Sequence, residues 1–394
     1  MKSLPNKLNT KLQDRRANDA FRQLDTPKDL VDFSSNDYLG FSKSEAIFDK
    51  AHQYLIENNL KQNGATGSRL LSGNHKLYNE VESEIAKTHN CEAALIFNSG
   101  YDANIGFFSS IPQRNDVILY DELCHASIRD GIKMSNAKSF KFKHNDFQDL
   151  KKQILRFALN DNCDLYVVTE SVFSMDGDSP DLVALSKLCK TQDANLIIDE
   201  AHAVGVFGYG LVQKHKIETD VFARIITFGK ALGCHGAAIL GSQRLKDYLV
   251  NFSRSFIYTT ALPPHTLATI KTAYSELSVM SNTSTALSTS FSETSHPQIE
   301  RLSDNINFFK KEIKRVGLQN EFIQSDSAIH CCIIPNNESV KSVASTLQDH
   351  GYDVKPILSP TVPKGKERLR FCVHSYNSKE EISEVLTLLT TFVA

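Results

Sequence analysis

An α/β protein with a mostly parallel sheet, followed by a small α+β domain, is what this sequence predicts. Three observations carry that expectation. Six short apolar runs lie between residues 93 and 241: "AALIF", "VILY", "LYVVT", "NLIID", "ARIIT" and "AAILG". Several are apolar throughout rather than alternating, the mark of strands covered on both faces, and helical patterns lie between most of them. After residue 297 the order changes to helix, strand, helix, strand, strand, helix, which reads as a separate, smaller layer. The 394 residues, 41% hydrophobic and 23% charged, suffice for a large core and more than one domain.

The elements follow in order. Leu8, Leu12, Ala20, Phe21 and Leu24 recur at helical spacing, so residues 4–24 predict an amphipathic helix. "LVDF" (30–33) is a short strand. Residues 43–60 and 75–89 are helical, the second with an apolar stripe of Tyr78, Val81 and Ile85. The six strands then fall at 93–97, 117–120, 165–169, 195–199, 223–227 and 237–241. "SNTSTALSTSFSETSHP" (281–297) reads as a linker, or as a broken helix through Leu287 and Phe291. A helix (298–316), a strand (327–334), a helix (338–349), two strands (353–358 and 368–373) and a helix (378–392) complete the chain. The expected division is an N-terminal helix and short strand over 1–45, a large α/β domain over 46–280 and a small α+β domain over 281–394. There is no internal repeat.

Charge and cysteine usage narrow the functional classes. A formal net charge of −2 gives no reason to expect nucleic acid or a membrane surface as partner. The eight cysteines are scattered without a Cys-x-x-Cys pair, and adjacent Cys331 and Cys332 on a strand point to opposite faces, against a shared metal. Reduced thiols in a cytoplasmic protein are expected. The polar start "MKSLPNKLNTKLQDRR" lacks a signal-type apolar core and no run approaches a membrane span, so neither export nor insertion is expected.

The chemistry gathers at strand ends. "IIDEAH" ends a buried strand on Asp199, with His202 three residues on; "TFGKALG" ends another on Lys230, in a glycine-rich turn. Taken singly, Asp199 reads as a cap for the next helix and Lys230 as a loop lysine. In a parallel sheet both strand ends open on one edge, where ligands bind. An acid, an imidazole and a lysine on one crevice suit a lysine-bound aldehyde cofactor whose pyridine nitrogen faces the acid, pyridoxal 5′-phosphate. "FNSGYDANIG" (97–106) ends a strand and opens a helix with Ser-Gly-Tyr, whose backbone N–H groups and dipole suit a phosphate. Thr227, three residues before Lys230, offers a hydroxyl.

With these segments in view, the chain resembles the α-oxoamine synthases. These are fold type I pyridoxal-phosphate enzymes that condense an amino acid with an acyl thioester and release carbon dioxide. The matching segments are "SSNDYLG" (34–40), "GATGSRLLSGNH" (64–75), "FNSGYDAN" (97–104), "DELCHASIRDG" (121–131), "TESVFSMDGD" (169–178), "DEAHAVGVFG" (199–208), "TFGKALG" (227–233) and "IYTTALPP" (257–264), in family order across nearly the whole chain. The resemblance implies that Lys230 carries the cofactor, that Asp199 meets its ring nitrogen, that His202 and Ser174 meet its phenolic oxygen, and that His125 lies on its ring face. It implies a phosphate site of backbone Gly100 and Tyr101 with Thr227. Thr259 and Thr260 would reach the neighbouring subunit's phosphate in a homodimer. It implies Asn36 and Arg370 as contacts of the amino acid, and Arg22 and Thr361 as contacts of the acyl substrate. "SPTVPKGKERLRFCV" (359–373) and "DRRANDAFR" (14–22) point to the member of the family that takes L-alanine and a pimeloyl thioester, on coenzyme A or a carrier protein.

Other readings stay open beside these. Without the resemblance His125 is a helix-start histidine bonded to backbone, Ser174 a loop hydroxyl, Arg22 a surface arginine and Thr361 a turn residue. Arg370 is better placed, because it alternates with Leu369 and Phe371 on a strand. Two departures stand out: the stretch before "SSNDYLG" is short, and position 377 is Asn where that member is expected to carry His. Rival activities are relatives using glycine with acetyl-CoA, serine with a palmitoyl donor, or a medium-chain acyl donor. More distant rivals are a fold type I aminotransferase and a cofactor-binding sensor fused to a DNA-binding domain.

Overall fold

The computed structural model describes residues 3–24, 26, 29–157, 163–285 and 298–393. Its strands, in chain order, are β1 (Val31–Asp32), β2 (Ala93–Phe97), β3 (Val117–Asp121), β4 (Lys138–Phe142), β5 (Leu165–Glu170), β6 (Asn195–Asp199), β7 (Ala223–Thr227), β8 (Ala237–Gly241), β9 (Ile329–Ile333), β10 (Tyr352–Asp353), β11 (Lys355–Ile357) and β12 (Arg368–Cys372). Two compact units form. One comprises Asn36–Ser174 and Ser179–Arg301, the other Met1–Ser35, Met175–Asp178 and Leu302–Ala394.

The larger unit is built on a seven-stranded sheet of order β2-β8-β7-β6-β5-β3-β4. β8 runs antiparallel to both neighbours and every other pairing is parallel. The carboxyl ends of β2, β3, β5, β6 and β7 therefore share one edge. β5 is buried at all six positions and β6 and β7 at four of five, as their apolar sequences require. β4 has no counterpart among the expected strands. Its sequence "KSFKF" is mostly exposed, because it pairs only with β3 and its lysines face solvent, where charge blocks further pairing. Phe107, Phe108, Ile128, Ile197 and Ile225 join the hydrophobic core.

Several helices of this unit start on side-chain caps. Ser44 Oγ accepts from Ile47 N at the head of Glu45–Glu57, and Ser99 Oγ accepts from Asp102 N at the head of Gly100–Ser110. The helix Ala126–Met134 packs on Gly100–Ser110. Gly131 permits that approach: a Cβ there would stand 2.8 Å from the Asn104 carbonyl oxygen.

The smaller unit contains the antiparallel sheet β11-β12-β9 and the short parallel pair β1-β10. Phe309, Phe371, Leu386 and Leu389 are buried in its core. Ser325 and Ser327 hydroxyls both donate to Gly177 O at 2.8 Å, and Arg368 pairs with Asp176, so Met175–Asp178 is held here. Asn377 is buried; its Oδ1 accepts from His374 N (2.8 Å) and its Nδ2 donates to Asp32 O (3.1 Å), so the asparagine has a structural place of its own.

Two expectations shift. The first helix spans Asn6–Ala17 rather than 4–24: Asn18 caps its end and Asp19 adopts a left-handed φ of 51°. None of its residues is buried, and Leu8 and Leu12 are exposed rather than packed. The Ser/Thr-rich stretch is helical as far as Thr285, in Pro264–Thr285, and the remainder, with Leu287 and Phe291, lies outside the described residues. The eight cysteines are all unbridged. Among the described residues no helix is long and apolar enough to cross a membrane.

Candidate active site

Lys230 sits three residues beyond Thr227, the last residue of β7, in a turn closed by three backbone bonds. Gly233 N donates to Lys230 O (2.8 Å), Cys234 N to Phe228 O (2.7 Å) and Phe228 N to Gly236 O (2.9 Å). Gly233 has φ 61°, and a Cβ on it would stand 2.2 Å from Ser42 N. Only glycine lets the 36–42 segment lie against this turn.

The lysine meets an imidazole directly. Lys230 Nζ lies 2.6 Å from His202 Nε2, and His202 Nδ1 lies 2.7 Å from the Tyr38 hydroxyl. Tyr38 O–H donates onward to Asn36 Oδ1 at 3.1 Å. An amine that donates to Nε2 leaves the ring proton on Nδ1, which donates to the Tyr38 oxygen, whose own proton goes to Asn36. Lys230, His202, Tyr38 and Asn36 thus form one directed chain. Tyr38, buried and unremarked in the sequence reading, is its central link.

Asp199 is buried at the end of β6. Oδ1 accepts from Ala201 N (2.9 Å) in a turn rather than at the helix start that its position suggested, and Oδ2 accepts from Asn104 Nδ2 (2.9 Å). The same amide nitrogen donates to Ser127 Oγ at 3.0 Å. His125 caps the helix Ala126–Met134: its Nδ1 accepts from Ser127 N (3.2 Å) and lies 2.7 Å from Ser127 Oγ. The reading of His125 as a helix-start histidine bonded to backbone therefore describes its geometry, and the cap is what anchors the ring. Burial pushes the His125 imidazole below its ordinary pKa, with the Lys230 charge pushing the same way and Asp199 opposing.

Glu170, at the end of β5, is a further acid that the sequence reading passed over. Its Oε1 accepts from His125 N at 2.5 Å. Burial, then the charge of Asp199, push its pKa up to about 8 against the pull of Lys230. Its signal was the one that marked Asp199, a carboxylate ending a buried strand. Asn104 lay inside the quoted "FNSGYDAN" segment, one helical turn past Gly100. Ser174 is buried at the end of the segment that carries Glu170.

The phosphate-type corner is also assembled. Ser99 takes the Asp102 N–H, so the Gly100 and Tyr101 N–H groups of the first turn have no helical acceptor. A Cβ on Gly100 would stand 3.9 Å from Thr227 Oγ1. Thr227 Oγ1 donates to Gly236 O (3.1 Å) and accepts from Gly229 N (3.3 Å). Asn98 Nδ2 donates to Thr259 Oγ1 (3.0 Å) and Thr260 O (2.7 Å), which ties both threonines to the residue before this corner. Tyr101's ring is exposed and its hydroxyl donates to Asp130 (2.9 Å).

Pyridoxal 5′-phosphate fits this donor set. A lysine amine, a carboxylate, an imidazole and an open helix N-terminus are the groups its aldehyde, ring nitrogen, phenolic oxygen and phosphate require. Buried Asn104 Oδ1 has no partner among the described residues, so acceptor capacity stands beside Asp199 that none of them fills.

Three predicted residues belong to the smaller unit. Arg370 is buried on β12, paired across to Lys355 and Cys331, and donates from Nη1 to Cys372 Sγ at 2.9 Å. Arg22 Nη2 donates to Thr361 Oγ1 at 3.4 Å, so the two residues named for the acyl substrate do meet, at an exposed position. A cavity of about 800 Å³ in this unit is lined by Lys11, Arg15, Lys364, Asp14, Glu338 and Ser359 among others.

Comparison with known proteins shows the family and the fold. The family model "aminotransferase class I and II" matches residues 28–389. The chain is 39% identical over 389 residues to 8-amino-7-oxononanoate synthase of Emericella nidulans, covering 93% of this chain and 90% of that one. Among solved structures, serine palmitoyltransferase from S. paucimobilis with bound PLP and myriocin superposes with TM-score 0.83 at 25% identity, covering 98% of this chain and 96% of that one. 8-Amino-7-oxononanoate synthase from Francisella tularensis superposes with TM-score 0.74 at 27% identity, covering 92% and 97%.

Proposed function

Because the chain belongs to the aminotransferase class I and II family, and within it to the α-oxoamine synthases, we propose that it joins L-alanine to a pimeloyl thioester. The products are 8-amino-7-oxononanoate, carbon dioxide and free thiol, as in biotin biosynthesis. The fold is fold type I, the enzyme is an acyltransferase, and its cofactor is pyridoxal 5′-phosphate. The observation that carries the chemistry is the meeting of Lys230, His202, Asp199 and His125 at one sheet edge. The substrate choice is supported by the 39% identity to the Emericella nidulans enzyme.

When bound, the cofactor's protonated ring draws electrons from the amino acid's Cα, so that a proton and then a carboxyl group can leave. The remaining work falls to residues of the chain. Lys230 forms the cofactor linkage and, once freed, takes the Cα proton and later returns one. Asp199, held on both oxygens, keeps a proton on the ring nitrogen. His202, fixed by Tyr38, holds the phenolic oxygen with Ser174. Gly100, Tyr101 and Thr227 hold the phosphate, joined by Thr259 and Thr260 of the neighbouring subunit in a homodimer. Asn36 and the guanidinium of Arg370 hold the alanine carboxylate, the latter as a planar fork. Arg22 and Thr361 contact the acyl chain, whose thiol carrier is coenzyme A or a carrier protein.

The test is a panel of alanine, glycine and serine against acetyl, medium-chain, pimeloyl and palmitoyl thioesters, scored by thiol release and product mass. Alanine with the pimeloyl donor is expected to exceed every other pair. A preference for serine with palmitoyl-CoA would transfer the assignment to the activity named for the S. paucimobilis neighbour.

A further inference from the structure

Two buried polar residues that carry no assigned role connect the acid and the imidazole of the site. Asn104 lies on Gly100–Ser110 and Ser127 on Ala126–Met134, and both are almost wholly excluded from solvent, at 3% and 1% exposure. The absence of a side chain at Gly131 brings the two helices close enough for them to touch. The Asn104 amide nitrogen has two N–H groups and two acceptors, Asp199 Oδ2 at 2.9 Å and Ser127 Oγ at 3.0 Å. Asp199, as a carboxylate, can only accept, so the amide orientation is determined.

The hydroxyl of Ser127 then has one proton left to place. Its oxygen has accepted from Asn104, and the 2.7 Å contact to His125 Nδ1 takes the proton. The Ser127 backbone N–H points at the same nitrogen from 3.2 Å, and an amide N–H can only donate. Two donors converge on Nδ1, so that nitrogen carries a lone pair and the single imidazole proton stands on Nε2.

We propose that Asn104 and Ser127 are positioning residues that hold His125 as its Nε2–H tautomer and, through the same amide, orient Asp199. Held so, His125 offers a hydrogen-bond donor from Nε2 and no base. It donates to a substrate oxygen, the amino acid's carboxylate or the thioester carbonyl, while proton removal from Cα falls to Lys230. The substrate part of this inference rests on the reading given under Proposed function; the tautomer does not. Burial of His125 acts in the same direction, since it disfavours the doubly protonated ring. One amide anchors two residues, so loss of Asn104 disturbs both, and loss of the Ser127 hydroxyl disturbs one.

The test uses holoenzyme labelled with nitrogen-15 at histidine, read by long-range proton–nitrogen correlation at neutral pH. The His125→Asn variant identifies the His125 signals by their disappearance. The expected wild-type pattern is a neutral ring with Nε2 protonated and Nδ1 bare. A ring protonated on Nδ1, or on both nitrogens, overturns the proposal, and this needs no variant that must fold. Ser127→Ala is expected to shift the ring toward a tautomer mixture and lower kcat about tenfold, the effect of one lost hydrogen bond, with cofactor affinity kept. Asn104→Ala is expected to do the same and also to release cofactor more readily, measured by absorbance on dilution. Equal loss of cofactor in both variants, or in neither, contradicts the shared anchor. Should the substrate panel favour another amino acid or acyl donor, the proposed function falls while the tautomer measurement still stands or falls by itself.

Discussion

Residues at the carboxyl edge of the seven-stranded sheet and residues of the smaller unit are held in different ways. At the sheet edge every key side chain is bonded to another: Lys230 to His202, His202 to Tyr38, Asp199 to Asn104, Asn104 to Ser127, Ser127 to His125. Most of these links are buried, where an unmet polar group costs the most. In the smaller unit, Arg22 and Thr361 meet through one exposed contact of 3.4 Å. The difference teaches that the residues proposed for the chemistry are held by one another in a mostly buried network, whereas those proposed for the acyl chain are held by a single exposed contact.

Substitutions can break or sharpen that contrast. The largest effect is expected for Asp199→Ala, with turnover lower by about 10²–10⁴-fold and weaker cofactor retention, followed by steady-state kinetics and absorbance. Near-normal turnover would remove the acid from its role. Arg370→Ala is expected to raise KM for alanine about 10–100-fold, the worth of a charge-assisted pair, with a smaller change in KM for the acyl donor. An unchanged alanine KM would move carboxylate recognition elsewhere. Arg22→Ala is expected to alter the acyl-donor KM by less than about tenfold, as an exposed charged contact does, and to leave cofactor binding untouched. An effect as large as that of Asp199→Ala would erase the contrast between the two regions.

The smallest effect concerns stability. The Glu170 carboxyl is raised from 4.5 to about 8 in the folded protein. Its contribution is therefore fully present below about pH 4.5 and is lost as pH rises through about 8. Glu170→Gln keeps an acceptor for His125 N–H and cannot ionise. Thermal melts should show wild type losing Tm relative to this variant between pH 5 and 8. Parallel Tm curves would mean the acid is not perturbed.

Much of this was legible in the chain, and for physical reasons. Strands buried on both faces leave uninterrupted apolar runs, so β2, β6, β7 and β8 fall where "AALIF", "NLIID", "ARIIT" and "AAILG" place them. β4 escaped because an edge strand with outward lysines lacks that signature. The first helix was read too long, since leucine spacing marks a face without saying that anything covers it. Asp199 announced itself as a polar residue ending a buried strand, and His202 and Lys230 as polar residues three positions beyond such strands. Tyr38, Asn104 and Ser127 did not. Their partners lie 164, 95 and 23 residues away, and only the folded sheet brings such separations within hydrogen-bond reach.

The central claim is that these strand ends hold pyridoxal 5′-phosphate with Lys230 as its attachment point. Borohydride reduction of the holoenzyme, then proteolysis and mass mapping of the modified peptide, tests it most directly. The account predicts the reduced cofactor on Lys230 alone, in the peptide containing "TFGKALG". Cofactor fixed to any other lysine, or to none, would contradict it.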